Sequence, residues 1–272
     1  MQTFDVLFLV MGAVMILGMH AGFAFLEAGT VSRKNQVNAF SKIIFDWATT
    51  TVVYFLIGFP VAYGINLSRD IGLMTGDHGI ASARFFFLLG FAACIPAIIS
   101  GGVVGRMRFS SQAAAGLVIG SLIYPVFEGF VWGRIPFMGQ EGALFDRMFG
   151  MPFVDFAGSV VVHSIGGWLA LPAIILLGPR NKRYDGNFDT RPSNIPFLAL
   201  GSWILIIGWF GFNLMSAQSL SNISGLVAIN SLMAMVGGII SGLLLSKNDI
   251  GFTYNGALAG LIAVCAGADI FH

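Results

Sequence analysis

Charged residues are scarce in this chain. Its 14 Lys and Arg and 13 Asp and Glu make up 10% of 272 residues, against about 25% in an average soluble protein, which excludes an ordinary soluble globular domain. The net charge of +1 gives no sign of a nucleic-acid partner, and none is expected. Cysteine is scarcer still. Cys94 and Cys265 both fall inside apolar stretches, without the spacing of a metal site or a disulfide framework; both read as packing residues, and no metal or cofactor is expected. No nucleophile–base set or cofactor motif is visible, so enzymatic activity is not expected. The first five residues, Met-Gln-Thr-Phe-Asp, carry no Lys or Arg, which argues against a cleavable signal peptide. The stretches at 66–84, 133–155 and 179–195 carry mixed charges and turn formers and are too short for a soluble domain.

What fills the chain instead is apolar. Hydrophobic residues make up 56% of it, and the mean hydropathy is +0.84. Crossing roughly 30 Å of hydrocarbon takes about 20 apolar residues. Windows of that kind fall near 4–27, 43–65, 85–105, 112–132, 156–178, 196–217, 223–245 and 254–271. The last is the shortest and weakest. The expectation is an all-α integral membrane protein with about eight transmembrane helices in one membrane domain over 1–272. With the N-terminus outside, Arg33, Lys34, Lys42, Arg106, Arg108, Arg180, Lys182, Arg183, Arg191 and Lys247 face the cytoplasm. Arg69, Arg84, Arg134 and Arg147 are left outside, ten against four, as the positive-inside rule prefers.

Thirty-six glycines are too many for ordinary helices, since each costs about 1 kcal/mol relative to alanine in a soluble one. Between membrane helices, small residues let backbones approach closely. Gly101, Gly102 and Gly105, Gly237, Gly238 and Gly242, and Gly256 and Gly260 are assigned that packing role, which argues for a compact bundle. The first and sixth segments also share a weak pattern, Gly22-Phe23-Ala-Phe-Leu-Glu-Ala28 against Gly211-Phe212-Asn-Leu-Met-Ser-Ala217. Five spans separate them, so two such repeats would be inverted, as in many transporters.

An ionisable group at membrane depth is costly and points to a transport path. His163 is such a group, eight residues after Asp155 in Asp155-Phe-Ala-Gly-Ser-Val-Val-Val-His163. A continuous helix would put it about 12 Å below Asp155. It either offers a donor and an acceptor to a small polar solute or ties two helices together. Asp155 reads as the N-cap of segment 5, and as a carboxylate that concentrates cations at a pore mouth. Phe87, Phe91, Trp132, Trp209 and Phe212 supply faces that attract small cations by about 0.5–2 kcal/mol, although 26 phenylalanines make chance arrangements common. His20, Glu27, Asp46 and Glu128 sit near segment ends or lack a visible partner and read as structural.

Four motifs in order then carry a resemblance. Gly22-Phe-Ala-Phe-Leu-Glu-Ala-Gly29 with Arg33-Lys-Asn35, Phe91-Ala-Ala-Cys with Arg106-Met-Arg-Phe109, Asp155 to His163, and Gly208-Trp-Phe-Gly-Phe-Asn213 with Ser216-Ala217 together resemble the ammonium transporter family (Amt/Mep/Rh). The likeness runs from residue 6 to the end. It implies an ammonium-transporter-like helical bundle with inverted repeats: a first five-helix repeat over 1–178, and the first three helices of the second over 196–272. It also implies a homotrimer with a pore in each subunit, ammonium or methylammonium as substrate, and a PII-type regulator where the family's cytoplasmic tail is present. Residue by residue, Phe91, Trp132 and Ser216 would form the outer ammonium site, with Phe87 beside it. Phe91 and Phe212 would stack as the gate, Asp155 would support the site, and His163 would be the first of two pore histidines.

Several positions depart from the family pattern. Met215 stands in place of a glycine, Leu88 in place of a common glutamine, and Gly105 in place of a frequent glutamate. The family usually has eleven spans, so three helices, the second pore histidine and the tail are expected to be missing after His272. Ammonium transport in the cell membrane is the expected function. An ammonium sensor that binds without conducting is the alternative, and a nonspecific neutral-solute channel a third reading.

Overall fold

The computed structural model describes residues 2–180, 192–219, 223–247 and 249–271. Lys182, Arg183, Arg191 and His272 lie outside them. Among the described residues, seven helices are long and apolar enough to cross a membrane: α1 (Phe4–Thr30), α2 (Arg33–Tyr63), α3 (Asp77–Val103), α4 (Phe109–Val131), α5 (Ser159–Leu177), α6 (Ile195–Met215) and α7 (Ser224–Leu245). An eighth, α8 (Ile250–Val264), is apolar but has only 15 residues, about 22 Å at 1.5 Å per residue. The described chain is all-helical, with short helices Ile71–Thr75 and Leu144–Phe149 inside two of the expected loops.

The expected eighth span at 254–271 is therefore corrected. The helix begins four residues earlier, where the Asp249 carboxylate accepts from the N–H groups of Gly251 (2.8 Å) and Phe252 (3.1 Å). It gives way to turns over 265–270. Backbone groups freed inside a membrane protein need other partners, and here they find them on the segment before α5. Phe156 N donates to Ala266 O at 3.1 Å and Ala157 N to Cys265 O at 2.8 Å, while Ala266 N donates to Ser159 Oγ at 2.9 Å. Other ends follow ordinary rules. Asn194 caps α6 through Phe197 N, and Pro196 sits in the first turn, where a missing N–H costs nothing.

Glycine determines how closely the helices meet. A methyl group built on Gly201 of α6 would lie 2.3 Å from Leu26 N and 2.7 Å from Gly22 O of α1; one on Gly208 would lie 2.2 Å from Met19 Cγ. Gly12, Gly22, Gly29 and Gly211 are closed off in the same way along this antiparallel seam. The contacts are reciprocal. Gly22 and Gly211, matched in the shared pattern, differ by 189 in number. The same offset, added in α1 and subtracted in α6, turns Gly12–Met215 into Gly201–Leu26 and Gly22–Gly201 into Gly211–Gly12, and leaves Met19–Gly208 unchanged. A two-fold axis passing at Met19 and Gly208 generates that pattern, the self-complementary contact of an isologous interface.

Among the glycines assigned to packing, Gly238, Gly242, Gly256 and Gly260 join α7 to α8 at backbone contact distance, and Gly102 abuts Ala170 and Ile174 of α5. Gly101 and Gly237 face open space, with nothing within 4 Å of an added methyl. Gly105 follows α3 at φ +77°; its role is the left-handed backbone that a side chain disfavours. The α1–α6 seam lies outside the set assigned from the sequence.

Candidate functional site

At the end of the bundle where α3 and α5 begin and α2, α4 and α6 finish, a cavity of about 220 Å³ opens among Phe87, Phe91, Trp132, Asp155 and Ser216. Tyr63, Arg84, Leu88, Phe156 and Gln218 complete its wall. The five residues singled out as an outer site thus come from four different stretches of chain to one place. Met215, which departs from the family pattern, lies against Gly12 at the start of the α1–α6 seam. Leu88 does line the cavity and is buried.

Local chemistry explains how this wall is held. Asp155 precedes α5 and directs its carboxylate at four backbone donors: Oδ1 accepts from Gly158 N and Ser159 N (both 3.0 Å), and Oδ2 from Val160 N and Val161 N (both 2.8 Å). The orphan N–H groups of a helix start are thereby satisfied, and a negative charge sits at the positive end of the helix dipole. Its backbone carbonyl accepts from Trp132 Nε1 at 2.7 Å, which fixes the indole. The first turn of α5, Ser159–Ser164, is a π-helix entered through Gly158 at φ +94°. Such turns are frequent at functional sites. Asp155 is therefore not helical, and the 12 Å axial drop expected from a continuous helix does not apply.

Ser216 follows α6. Its hydroxyl donates to Phe212 O at 2.8 Å, so its proton is committed and its free lone pairs can accept from an N–H donor. Beneath the cavity, the rings of Phe91 and Phe212 stack at 4.0 Å with 22° between planes. Phe87 packs on Phe91 at 4.9 Å, and Trp132 meets Phe91 edge-on at 5.7 Å.

His163 lies on the other side of Phe212, 5.4 Å from that ring and stacked on Trp209 at 5.0 Å. It is 8% exposed, and its Nδ1 has no hydrogen-bond partner among the described residues. Nε2 faces Cys265 Sγ at 3.8 Å. That sulfur accepts from Trp209 Nε1 at 3.3 Å and lies 3.0 Å from both Asn213 Oδ1 and Leu261 O. Cys265, read from the sequence as packing alone, is thus the polar neighbour of His163. Nothing in its local sequence signals this, since the two are brought together only by the packing of α5, α6 and α8.

The buried acids also have partners, from distant segments. Glu128 accepts from Tyr54 Oη (3.0 and 2.8 Å) and Tyr63 Oη (2.9 Å). Glu27 accepts from Ser100 Oγ at 3.0 Å and Asp46 from Gln112 Nε2. Lys42, also buried, donates to Met107 O at 3.1 Å. Groups of three or more His, Cys, Asp or Glu that could hold a metal ion are absent among the described residues.

Seven membrane-spanning apolar helices among the described residues, with an aromatic-walled cavity at one end of the bundle and a buried histidine behind it, define a multi-pass helical membrane protein. The chain belongs to the Ammonium Transporter Family, whose model matches residues 7–272. Ammonium transporter Amt2 of Methanocaldococcus jannaschii is 41% identical over 98% of this chain and 63% of its own length. Amt1 of the same organism is 38% identical over the whole chain and 68% of its length. Among solved structures, one named Sensor Amt Protein superposes with a TM-score of 0.87 at 31% identity, covering 98% of this chain and 69% of that one. Candida albicans Mep2 shares the fold with a TM-score of 0.82 at 20% identity, over 61% of its chain. The chain thus spans roughly two-thirds of the length of the relatives it matches.

Proposed function

We propose that this chain takes part in the movement of ammonium nitrogen across the cell membrane, with its N-terminus and its aromatic cavity facing outward. The observation that carries this reading is a succession of contacts: Phe91 on the cavity wall, Phe212 stacked on it, and His163 next to Phe212. An ammonium ion is drawn to aromatic faces, and Ser216 Oγ is free to accept one of its N–H bonds. Potassium, of similar size and charge, has no hydrogen bond to offer there.

The ring pair then blocks any hydrated ion, since Phe91 and Phe212 are 1% and 0% exposed and the groups next behind them, His163, Trp209 and Cys265, are buried in the protein interior. Moving a bare charge into such surroundings is strongly unfavourable. A neutral amine of the same size is not excluded in this way. Ammonium therefore releases its proton at the rings, ammonia passes His163, and the proton moves separately, with the unpartnered His163 Nδ1 as the acceptor this chain supplies. Potassium has no proton to lose.

The reciprocal α1–α6 contacts support two inverted repeats, the first over 1–178 and the second beginning at 196. A homotrimer is inferred from the family resemblance, and native mass spectrometry in detergent tests it.

The central test is methylammonium uptake by cells that lack their own ammonium transporters and express this chain. Saturable uptake abolished by His163→Ala supports conduction. Uptake indifferent to His163→Ala would overturn the path described. The neighbour named as a sensor motivates one competing reading, in which ammonium binds at the cavity without crossing; saturable binding with no uptake would favour it.

A further inference from the structure

The cavity proposed to recruit a cation already contains one. Arg84, in the first turns of α3, lines it together with Phe87, Phe91 and Ser216. Its guanidinium carbon stands 5.0 Å above the centre of the Tyr63 ring, so an aromatic face in the wall already holds a resident positive charge. Its Nε is buried without a hydrogen-bond partner among the described residues. Tyr63 is fixed from its other end, where its hydroxyl donates to Glu128. The charged residues lining this space are Arg84 from α3 and Asp155 before α5, whose carboxylate is bonded to four backbone N–H groups, with Glu128 of α4 behind Tyr63.

We propose that Arg84 sets the affinity of this cavity for cations, a resident cation stacked on Tyr63 whose charge opposes that of Asp155 and limits how tightly an entering cation is held. This rests on the reading of the cavity as an ammonium site. A space of about 220 Å³ is about 7 Å across. A unit charge at about that distance, at an effective dielectric constant of about 40, changes a cation's affinity by roughly sevenfold. Weak holding suits a site that must release what it recruits. A site that held the ion tightly would slow every passage.

The test is calorimetric titration of the purified chain in detergent with ammonium chloride, choline chloride holding ionic strength constant. Arg84→Gln is expected to tighten ammonium binding about three- to tenfold at low ionic strength, with the gain shrinking as salt is raised. Arg84→Lys keeps the charge and is expected to stay within about twofold of the parent chain. Arg84→Met is a second neutral variant that keeps an apolar stem over Tyr63, and it is expected to match Arg84→Gln. Equal affinity in the parent chain and both neutral variants, or an Arg84→Lys that binds as tightly as they do, overturns the role of Arg84 and leaves the ammonium site standing. Absence of saturable ammonium binding in every folded variant overturns the cavity reading and this inference with it.

Discussion

The rings of Phe91 and Phe212 stack at 4.0 Å, with Phe91 on the cavity wall and Phe212 next to His163, and in the proposed path the two form one barrier. Truncating either to alanine is expected to admit water and to let potassium leak into vesicles that exclude it with the parent chain. Each variant should also lose about 3–5 kcal/mol of stability, the usual range for a buried Phe→Ala. Because the rings touch, the double variant should fall short of the summed losses. Potassium exclusion that survives in both single variants would remove these rings as the barrier.

Ser216→Ala separates recognition from folding. The hydroxyl donates to a helical carbonyl, so its loss should change stability by less than about 1 kcal/mol. A hydrogen bond to a charged group is worth about 1.5–3 kcal/mol, and ammonium affinity should fall by about tenfold or more. Unchanged affinity in calorimetric titration would show that the serine does not touch the ion.

Asp155 behaves oppositely. Four N–H groups depend on its two oxygens, so Asp155→Ala is expected to cost about 2–4 kcal/mol, above the range of about 0.5–2 for an ordinary cap. Asp155→Asn keeps one acceptor and should lose less. Denaturant unfolding in detergent measures both. A cost below about 1 kcal/mol for Asp155→Ala would mean that water replaces the carboxylate.

The glycines supply a paired contrast. Gly201→Ala would force a methyl group to within 2.3 Å of Leu26 N, backbone that cannot swing aside, and it should destabilise by about 1–3 kcal/mol. Gly237→Ala meets nothing within 4 Å and should be neutral or stabilising by up to about 1 kcal/mol. Thermal unfolding of the two variants side by side decides whether the α1–α6 seam carries the weight assigned to it.

Much of the architecture was legible in the sequence, because hydropathy over about 20 residues reports membrane depth directly. The eighth span was misjudged because residues after Val264 are as apolar as a helix. What ends it is backbone pairing with Phe156 and Ala157, a partnership that no local pattern announces. Phe87, Phe91, Trp132, Asp155 and Ser216 line one cavity, and the carboxylate of Asp155 is bonded to four backbone N–H groups, a detail no motif carries. Cys265 was missed for a different reason. Its neighbour His163 lies 102 positions away, and which face of α8 meets α5 depends on helix rotation. The α1–α6 seam did leave a signal: Gly22 and Gly29, and Gly201 and Gly208, each recur after seven residues, which puts them on one helix face.

That seam has a consequence for biogenesis. Gly22 and Gly201 are separated by about 180 residues, which a ribosome adding about 5–20 residues per second takes roughly 10–40 s to supply. During that interval α1 has its glycine face turned to lipid or to an insertion factor, with no complementary surface yet in existence. Other faces of α1 pack against α2 and α3, but its glycine face is completed only when α6 arrives, and quality control can act on that face throughout the interval.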